Sequence, residues 1–92
     1  MDARVVVRTG GQAVREFDID DSLSLYRAGT ERVVVLNGSA RRLWQLVAQP
    51  RSIEQLVDHL AEEYDVAATD IADGVATAVA ALQAEGLLCI QP

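Results

Sequence analysis

The stretch that decides the fold is ERVVVLNGSA, residues 31–40, in which three valines and a leucine lead directly into Asn-Gly-Ser. The branched apolar run predicts a β-strand. Side chains alternate along a strand, so Val33 and Val35 point to one face. Val34 and Leu36 point to the other. A sheet with one solvated face carries polar residues at every second position. This strand is apolar on both faces, so the sequence does not say what covers the second one.

The sequence upstream predicts further strands. Residues 4–8, RVVVR, have the composition of a short strand, and residues 23–28, LSLYRA, alternate apolar and polar side chains. Gly29 can adopt positive φ in a hairpin turn that leads into residues 32–36. The segment of residues 9–21, which contains AVREFDI at residues 13–19, is either another strand or a loose arm. We therefore predict a β-meander of about three strands in the first half of the chain.

Three helices are predicted after the sheet, because apolar residues recur at the i, i+3, i+4, i+7 spacing of one helix face. Pro50 ends the first helix and Gly86 ends the third. The apolar faces are Ala40, Leu43, Trp44 and Val47 in the first helix, Ile53, Leu56, Val57, Leu60, Ala61 and Tyr64 in the second, and Ile71, Val75, Val79 and Leu82 in the third.

Capping residues predict where these helices begin. Either Asn37 or Ser39 can cap the first helix. Ser52 opens the second helix in a capping box with Gln55, three residues further on. Thr69 is the predicted N-cap of the third helix.

The order of the elements predicts the fold class. Strands come first, three helices follow, and LLCI, residues 87–90, is a short extended segment at the end. This is an α+β arrangement, and we expect one domain over residues 1–92. An N-terminal three-stranded antiparallel sheet followed by three helices, the third being the longest, predicts a winged helix-turn-helix-like fold with the trailing strand as its wing.

The charge distribution argues against nucleic acid as a partner. Residues 1–51 hold all eight arginines and six acidic residues, whereas residues 52–92 hold eight acidic residues and no lysine or arginine. The recognition helix of a helix-turn-helix protein lies in the major groove, and phosphate contacts need basic residues. Here that helix would carry Asp70, Asp73 and Glu85 and no lysine or arginine.

The residues that usually perform chemistry are absent or isolated. His59, the single histidine, falls off the apolar stripe of its helix and is expected to face solvent. Cys89 is the single cysteine, so no internal disulfide is possible, and a buried apolar role is its default. No apolar run approaches the roughly 20 residues that a membrane span needs. We expect a cytoplasmic protein that is not an enzyme and has no cofactor, metal site or membrane partner.

Three stretches in this order, residues 34–47, 52–66 and 71–88, resemble the PqqD family. Its members are small peptide chaperones of pyrroloquinoline quinone biosynthesis and of other ribosomally made, modified peptides, and their shared module is called a RiPP recognition element. The chain departs from the family at AQPR, residues 48–51, where an Asp-Gly turn is usual, and at Gly74, where an acid is common. The residues that carry the resemblance are Leu36, Asn37, Ala40, Trp44, Ile53, Leu56, Leu60, Tyr64, Leu82, Gly86 and Leu87.

The resemblance implies a peptide-binding site. Family members bind the leader segment of a precursor peptide as an added strand, on the edge of the strand that corresponds to residues 32–36 and against the third helix. In this β-augmentation, backbone hydrogen bonds supply affinity and side-chain pockets supply specificity. A small-residue strip on the third helix either receives the peptide or packs against the domain's own sheet. The implied site residues are Arg32, Val33, Val34, Val35, Leu36, Asp73, Gly74, Thr77, Ala78 and Ala81.

The function implied is that of a chaperone that presents a precursor peptide to a separate modifying enzyme, such as a radical-SAM protein, a cyclase or a leader protease. The charge of the leader stays open, because Arg27 and Arg32 would attract acidic residues whereas Asp70 and Asp73 would repel them. A structural homodimer that pairs its exposed strand edges is the alternative. A winged-helix DNA-binding regulator is a third hypothesis, which the charge of the third helix opposes.

Overall fold

The computed structural model describes residues 4–9, 14–27 and 32–91. Strands and helices follow the predicted order, so the α+β fold, with a three-stranded antiparallel sheet and three helices, is confirmed. The hairpin turn predicted at Gly29 lies outside the described residues. The elements are β1 (Val5–Arg8), β2 (Val14–Ile19), β3 (Ser22–Arg27), β4 (Val33–Asn37), α1 (Gly38–Leu46), α2 (Ile53–Tyr64), α3 (Ala68–Ala84) and β5 (Leu88–Gln91).

The three-stranded sheet has the order β2-β3-β4, and both pairings are antiparallel. Residues 14–19 are therefore a paired strand and not a loose arm. Asp20, at the turn between β2 and β3, has a positive φ of 54°, a conformation that aspartate tolerates better than most residues. Opposite Leu25 of β3 lies Val34 of β4, so their side chains share one face of the sheet.

The first strand is formed as predicted, but it does not join the meander. β1 pairs antiparallel with β5 in a separate two-stranded sheet, in which Val6 lies opposite Ile90. Val6 is buried, and its backbone also exchanges two hydrogen bonds with Arg51. The branched composition of β1 predicts a strand but does not predict its partner, which is β5 near the C-terminal end of the described residues.

The core lies between the inner face of the three-stranded sheet and the helices. On the outer face, Val33 and Val35 are 56% and 58% exposed, and no part of the described chain covers them. The outer face of β4 is therefore open to solvent within the described structure. The buried apolar residues are Val6, Leu23, Leu25, Leu36, Leu43, Trp44, Leu46, Val47, Leu56, Val57, Leu60, Val75, Val79, Leu82, Leu87 and Leu88.

The helix boundaries agree with the capping signals except at α3. Asn37 occupies the N-cap of α1, and the capping box of Ser52 with Gln55 opens α2. The prediction of Thr69 as the N-cap of α3 was wrong. Ala67 is the N-cap, and its side chain makes no capping hydrogen bond. The helix therefore begins at Ala68, two residues earlier than a cap at Thr69 would place it. The alanine that follows it has the highest helix propensity of any residue, which favours this earlier start.

His59 and Cys89 differ in their exposure to solvent. His59 is exposed, as predicted. Cys89 is half-buried and not fully buried, because β5 belongs to a small sheet with only β1 beside it.

An ion pair joins α1 to α2 and makes their contact sensitive to pH. Arg42 Nε lies 2.8 and 2.9 Å from the two carboxylate oxygens of Glu63. The hydrogen bond from Arg42 lowers the pKa of the Glu63 carboxyl below its ordinary value. A carboxyl whose pKa is lowered by folding stabilises the fold above its unfolded-state pKa, and this contribution is lost as the pH falls through the folded-state pKa.

We therefore expect Glu63→Gln to unfold at a lower temperature than the parent protein at about pH 7, and the difference to be smaller at about pH 3, because this contribution is lost as the pH falls through the folded-state pKa. Thermal unfolding followed by circular dichroism measures this. Glu62→Gln, a substitution of the neighbouring exposed acid, is the matched control and should show no such pH-dependent difference. An equal difference for Glu63→Gln at both pH values would contradict the assignment.

Candidate functional site

Both edge strands of the three-stranded sheet, β2 and β4, are unpaired on their outer side among the described residues, and β4 is the edge with residues of α3 at its ends. β4 is the last strand of the order β2-β3-β4, and it pairs with β3 alone among the described residues. An unpaired edge presents a row of backbone N–H and C=O groups that can pair with another chain. β4 is short and carries apolar side chains on both faces, so it has none of the charged side chains that usually protect such an edge within Val33–Asn37.

α3 runs beside this edge in the opposite direction. At the start of β4, Arg32 donates a hydrogen bond to the Glu85 carboxylate at the C-terminal end of α3. At the other end, Ser39, two residues beyond β4, lines the same cavity as Gly74 in the first half of α3. These two meeting points fix the relative direction of the strand and the helix.

The lengths of the two elements set the length of the space between them. Eleven residue steps separate Gly74 from Glu85 along α3, which is about 16 Å at 1.5 Å per residue. The four steps of β4 from Val33 to Asn37 are about 13 Å at 3.3 Å per residue. We call the space between the open edge of β4 and this part of α3 the edge groove. A β-strand of about five residues fills its length.

Small residues form the helix wall of the edge groove. Gly74, Ala78, Ala81 and Glu85 fall within about 60° of one another at about 100° per residue, so they share one side of α3. Gly74 is exposed, and a Cβ built on it would meet no atom within 4 Å. Ala81 is also exposed, whereas Ala78 is half-buried against the core. Packing on the domain's own sheet therefore accounts for Ala78 but not for the other two.

The predicted residues of β4 fall into three groups. Val34 lines a small cavity of about 30 Å³ with Leu25, Arg32 and Glu85 at one end of the edge groove. Leu36 is 5% exposed, so only its backbone is available to a second chain. Val33 and Val35, named above, project from the outer face, where a paired guest strand would place every second side chain.

Thr77 and Asp73 lie at increasing angles from the groove wall. Thr77 is about 40° around the helix from Ala81, and Asp73 is about 80° from it. Asp70, one turn before Gly74, lines the cavity at the end of the edge groove. The family resemblance implies Asp73, whereas helical periodicity selects Asp70.

Other residues at the groove ends were missed because they come from different elements. Glu85 extends the small-residue strip by one turn beyond Ala81, so the same periodicity could have found it. Ser39 of α1 and Tyr64 of α2 reach the groove only through helix packing, and no local pattern in the sequence signals this.

The two ends of the edge groove carry different charges. At the first end, Arg27 donates a hydrogen bond of 2.7 Å to the backbone oxygen of Glu85, and Arg32 contacts the carboxylate of the same residue. At the second end, the acid is Asp70. The groove is therefore neither uniformly basic nor uniformly acidic.

Replacing Gly74 with alanine should stabilise the fold, because Gly74 lies inside α3 and its added Cβ has open space around it. The expected gain in the free energy of unfolding is about 0.5–1 kcal/mol, measured by urea denaturation. The same Cβ narrows the edge groove, so binding of a strand there should weaken. A loss of stability in this variant would show that the groove wall is packed against part of the chain.

The described residues contain no group of three or more histidine, cysteine, aspartate or glutamate side chains that could hold a metal ion. Among the same residues, no helix combines the length and the apolar character that crossing a membrane requires.

A winged helix-turn-helix-like domain with an open strand edge beside a smooth helix is a class of fold suited to accept an extended chain. The family described as "Coenzyme PQQ synthesis protein D (PqqD)" matches residues 23–88. The chain belongs to the PqqD family. A solved structure titled "TbiB1 in Complex with the TbiA(beta) Leader Peptide" aligns with a TM-score of 0.75 and 26% sequence identity, covering 89% of this chain and 93% of that chain. No curated protein matches. The predicted resemblance to a RiPP recognition element is confirmed.

Proposed function

We propose that the domain binds the leader segment of a precursor peptide in the edge groove and presents that peptide to a separate modifying enzyme. The observation that carries the proposal is the open edge of β4, whose two ends are linked to α3 by the Arg32–Glu85 ion pair and by the cavity that Ser39 and Gly74 line. A solved structure with the same fold is described as a complex with a leader peptide. Membership of the PqqD family supports the same role.

Strand addition explains how such a small domain could bind with specificity. A guest strand would satisfy the free backbone groups of β4, and its alternate side chains would point inward and outward. The inward side chains would meet Val34 and the small helix wall. The outward ones would lie beside Val33 and Val35, where aliphatic and aromatic cross-strand neighbours are favourable.

The domain would act by raising the local concentration of the peptide at the enzyme. A leader held in the edge groove leaves the rest of the precursor free to reach a radical-SAM protein, a cyclase or a leader protease. Tethering of this kind converts the second encounter into an intramolecular one, with an effective concentration set by the length of the connecting segment. No catalytic group of the domain is needed for this role.

A titration of the purified chain tests the proposal. The ligands are the full precursor peptide encoded beside its gene, the isolated leader and the leaderless remainder, each followed by isothermal titration calorimetry. We expect the leader and the full precursor to bind one to one with similar affinity, and the remainder not to bind. Binding that persists after the leader is removed would refute the proposal.

Light scattering on the same samples tests the homodimer alternative. A free chain that is dimeric and stays dimeric when the leader is added, without binding it, would favour edge-to-edge pairing of two copies. A monomer that binds one leader agrees with the proposed function.

A further inference from the structure

A cavity at the second end of the edge groove has the chemistry of a side-chain pocket. Its volume is about 200 Å³, below the roughly 300–1,000 Å³ of small-molecule sites, and room for one long side chain. Leu60, Ile71 and Val75 supply an apolar lining, and Tyr64 supplies an aromatic ring that is 48% exposed. Gly74 leaves the cavity open toward the groove.

An acid without a partner lies in this lining. Asp18, Glu63 and Glu85 each receive an arginine side chain. Asp70 has no side-chain partner within residues 4–9, 14–27 and 32–91. Its position in the first turn of α3 is favourable for the helix dipole, but that role does not depend on the apolar and aromatic lining around it.

The combination suits a long basic side chain. Lysine and arginine bury their aliphatic stems against apolar surface and keep the charged head at the rim. Here the head would meet the Asp70 carboxylate, and the Tyr64 ring is available for a cation–π contact. An acidic side chain would be repelled by Asp70. A purely apolar one would make the contact with the lining but gain nothing from the exposed Asp70 carboxylate.

We propose that a lysine or arginine of the leader, next to the segment that pairs with β4, inserts into this cavity. The inference rests on the proposed function, since the cavity opens into the edge groove. It lies beyond the C-terminal end of β4, next to Ser39. A guest antiparallel to β4 would therefore carry the basic residue on its N-terminal flank, and a parallel guest on its C-terminal flank.

A displayed library of random peptides of about twelve residues, long enough for the paired segment and its flanks, tests this. Selection is carried out on the parent protein and on Asp70→Asn, Asp70→Arg, Asp58→Arg and Ala81→Trp, after circular dichroism has shown that each variant is folded. The parent should enrich lysine or arginine at one position flanking an apolar core. Asp70→Asn should lose this preference, and Asp70→Arg should replace it with aspartate or glutamate.

The control Asp58→Arg makes the same charge change on α2, at an exposed acid outside the cavity lining, and it should keep the preference of the parent. Two synthetic versions of a selected peptide, one with lysine and one with glutamine at that position, should differ about three- to tenfold in Kd on the parent. On Asp70→Asn the two peptides should bind with nearly the same Kd.

The outcomes separate the two proposals. Suppose that the parent enriches peptides that Ala81→Trp does not enrich, and that Asp70→Arg still prefers a basic residue in them. The cavity assignment is then wrong, but binding in the edge groove is supported. Enrichment of aromatic residues at the flank would also overturn the assignment. If the parent and Ala81→Trp enrich the same peptides, or neither enriches any, the proposed function itself fails.

Discussion

Replacing Ala81 with tryptophan is expected to weaken leader binding at least tenfold, or about 1.4 kcal/mol, while the thermal stability of the free domain stays nearly unchanged. Ala81 is exposed and lies on the wall of the edge groove between Ala78 and Glu85. An indole ring at this position would occupy the space that a guest strand needs. It would not disturb the core, because Ala81 contributes no buried surface there. Calorimetric titration with the leader measures the loss.

Ala76→Trp is the matched control for this experiment. Ala76 is also exposed and belongs to the same helix, but it lies on the opposite side from Gly74, Ala78 and Ala81 at about 100° per residue. This variant should bind the leader as the parent does. Equal losses in both variants would indicate a general effect on α3, and equal retention would place the leader elsewhere on the domain.

Replacing Gly86 with alanine is expected to lower the free energy of unfolding by about 2–3 kcal/mol. Gly86 has a φ of 75° and terminates α3 in a Schellman motif, with hydrogen bonds from Gly86 N–H to Gln83 O and from Leu87 N–H to Leu82 O. A side chain is unfavourable in this left-handed conformation. The new Cβ would also lie only 2.5 Å from Nη1 of Arg27, so the guanidinium that caps the helix would have to move.

Gly38→Ala separates these two causes. Gly38 has a φ of 54°, close to the same conformation, but an added Cβ would meet nothing within 4 Å. Its substitution should cost about 1 kcal/mol, which is the conformational contribution alone. Urea denaturation of both variants gives the comparison. Equal costs would mean that Arg27 moves without loss and contributes little to the end of α3.

At this site, sequence patterns predict which faces of a strand or helix are apolar, but they do not predict every residue of the groove. The alternation of Val33 and Val34 predicts two apolar faces, and the structure leaves the outer one exposed within its described residues. The inner one lines the groove end with Leu25. On α3, the strip of small residues was recognised from its spacing. The family resemblance implies Asp73 beside this strip, although Asp73 and Gly74 are adjacent helical residues that point about 100° apart.

The sequence by itself determined the element types, most of their boundaries and the family. Those properties depend on local signals: branched apolar runs, helical periodicity, the Ser52 capping box and the glycine at the end of α3.

Only the tertiary structure decided which elements meet. β1 pairs with β5 and not with the meander, β4 is left as an open edge, and Ser39 and Tyr64 join Asp70 in one cavity. Such contacts join residues far apart in the chain, and they depend on how sheets and helices pack as whole surfaces. A local pattern records which face of an element is apolar, but it does not record what that face will meet.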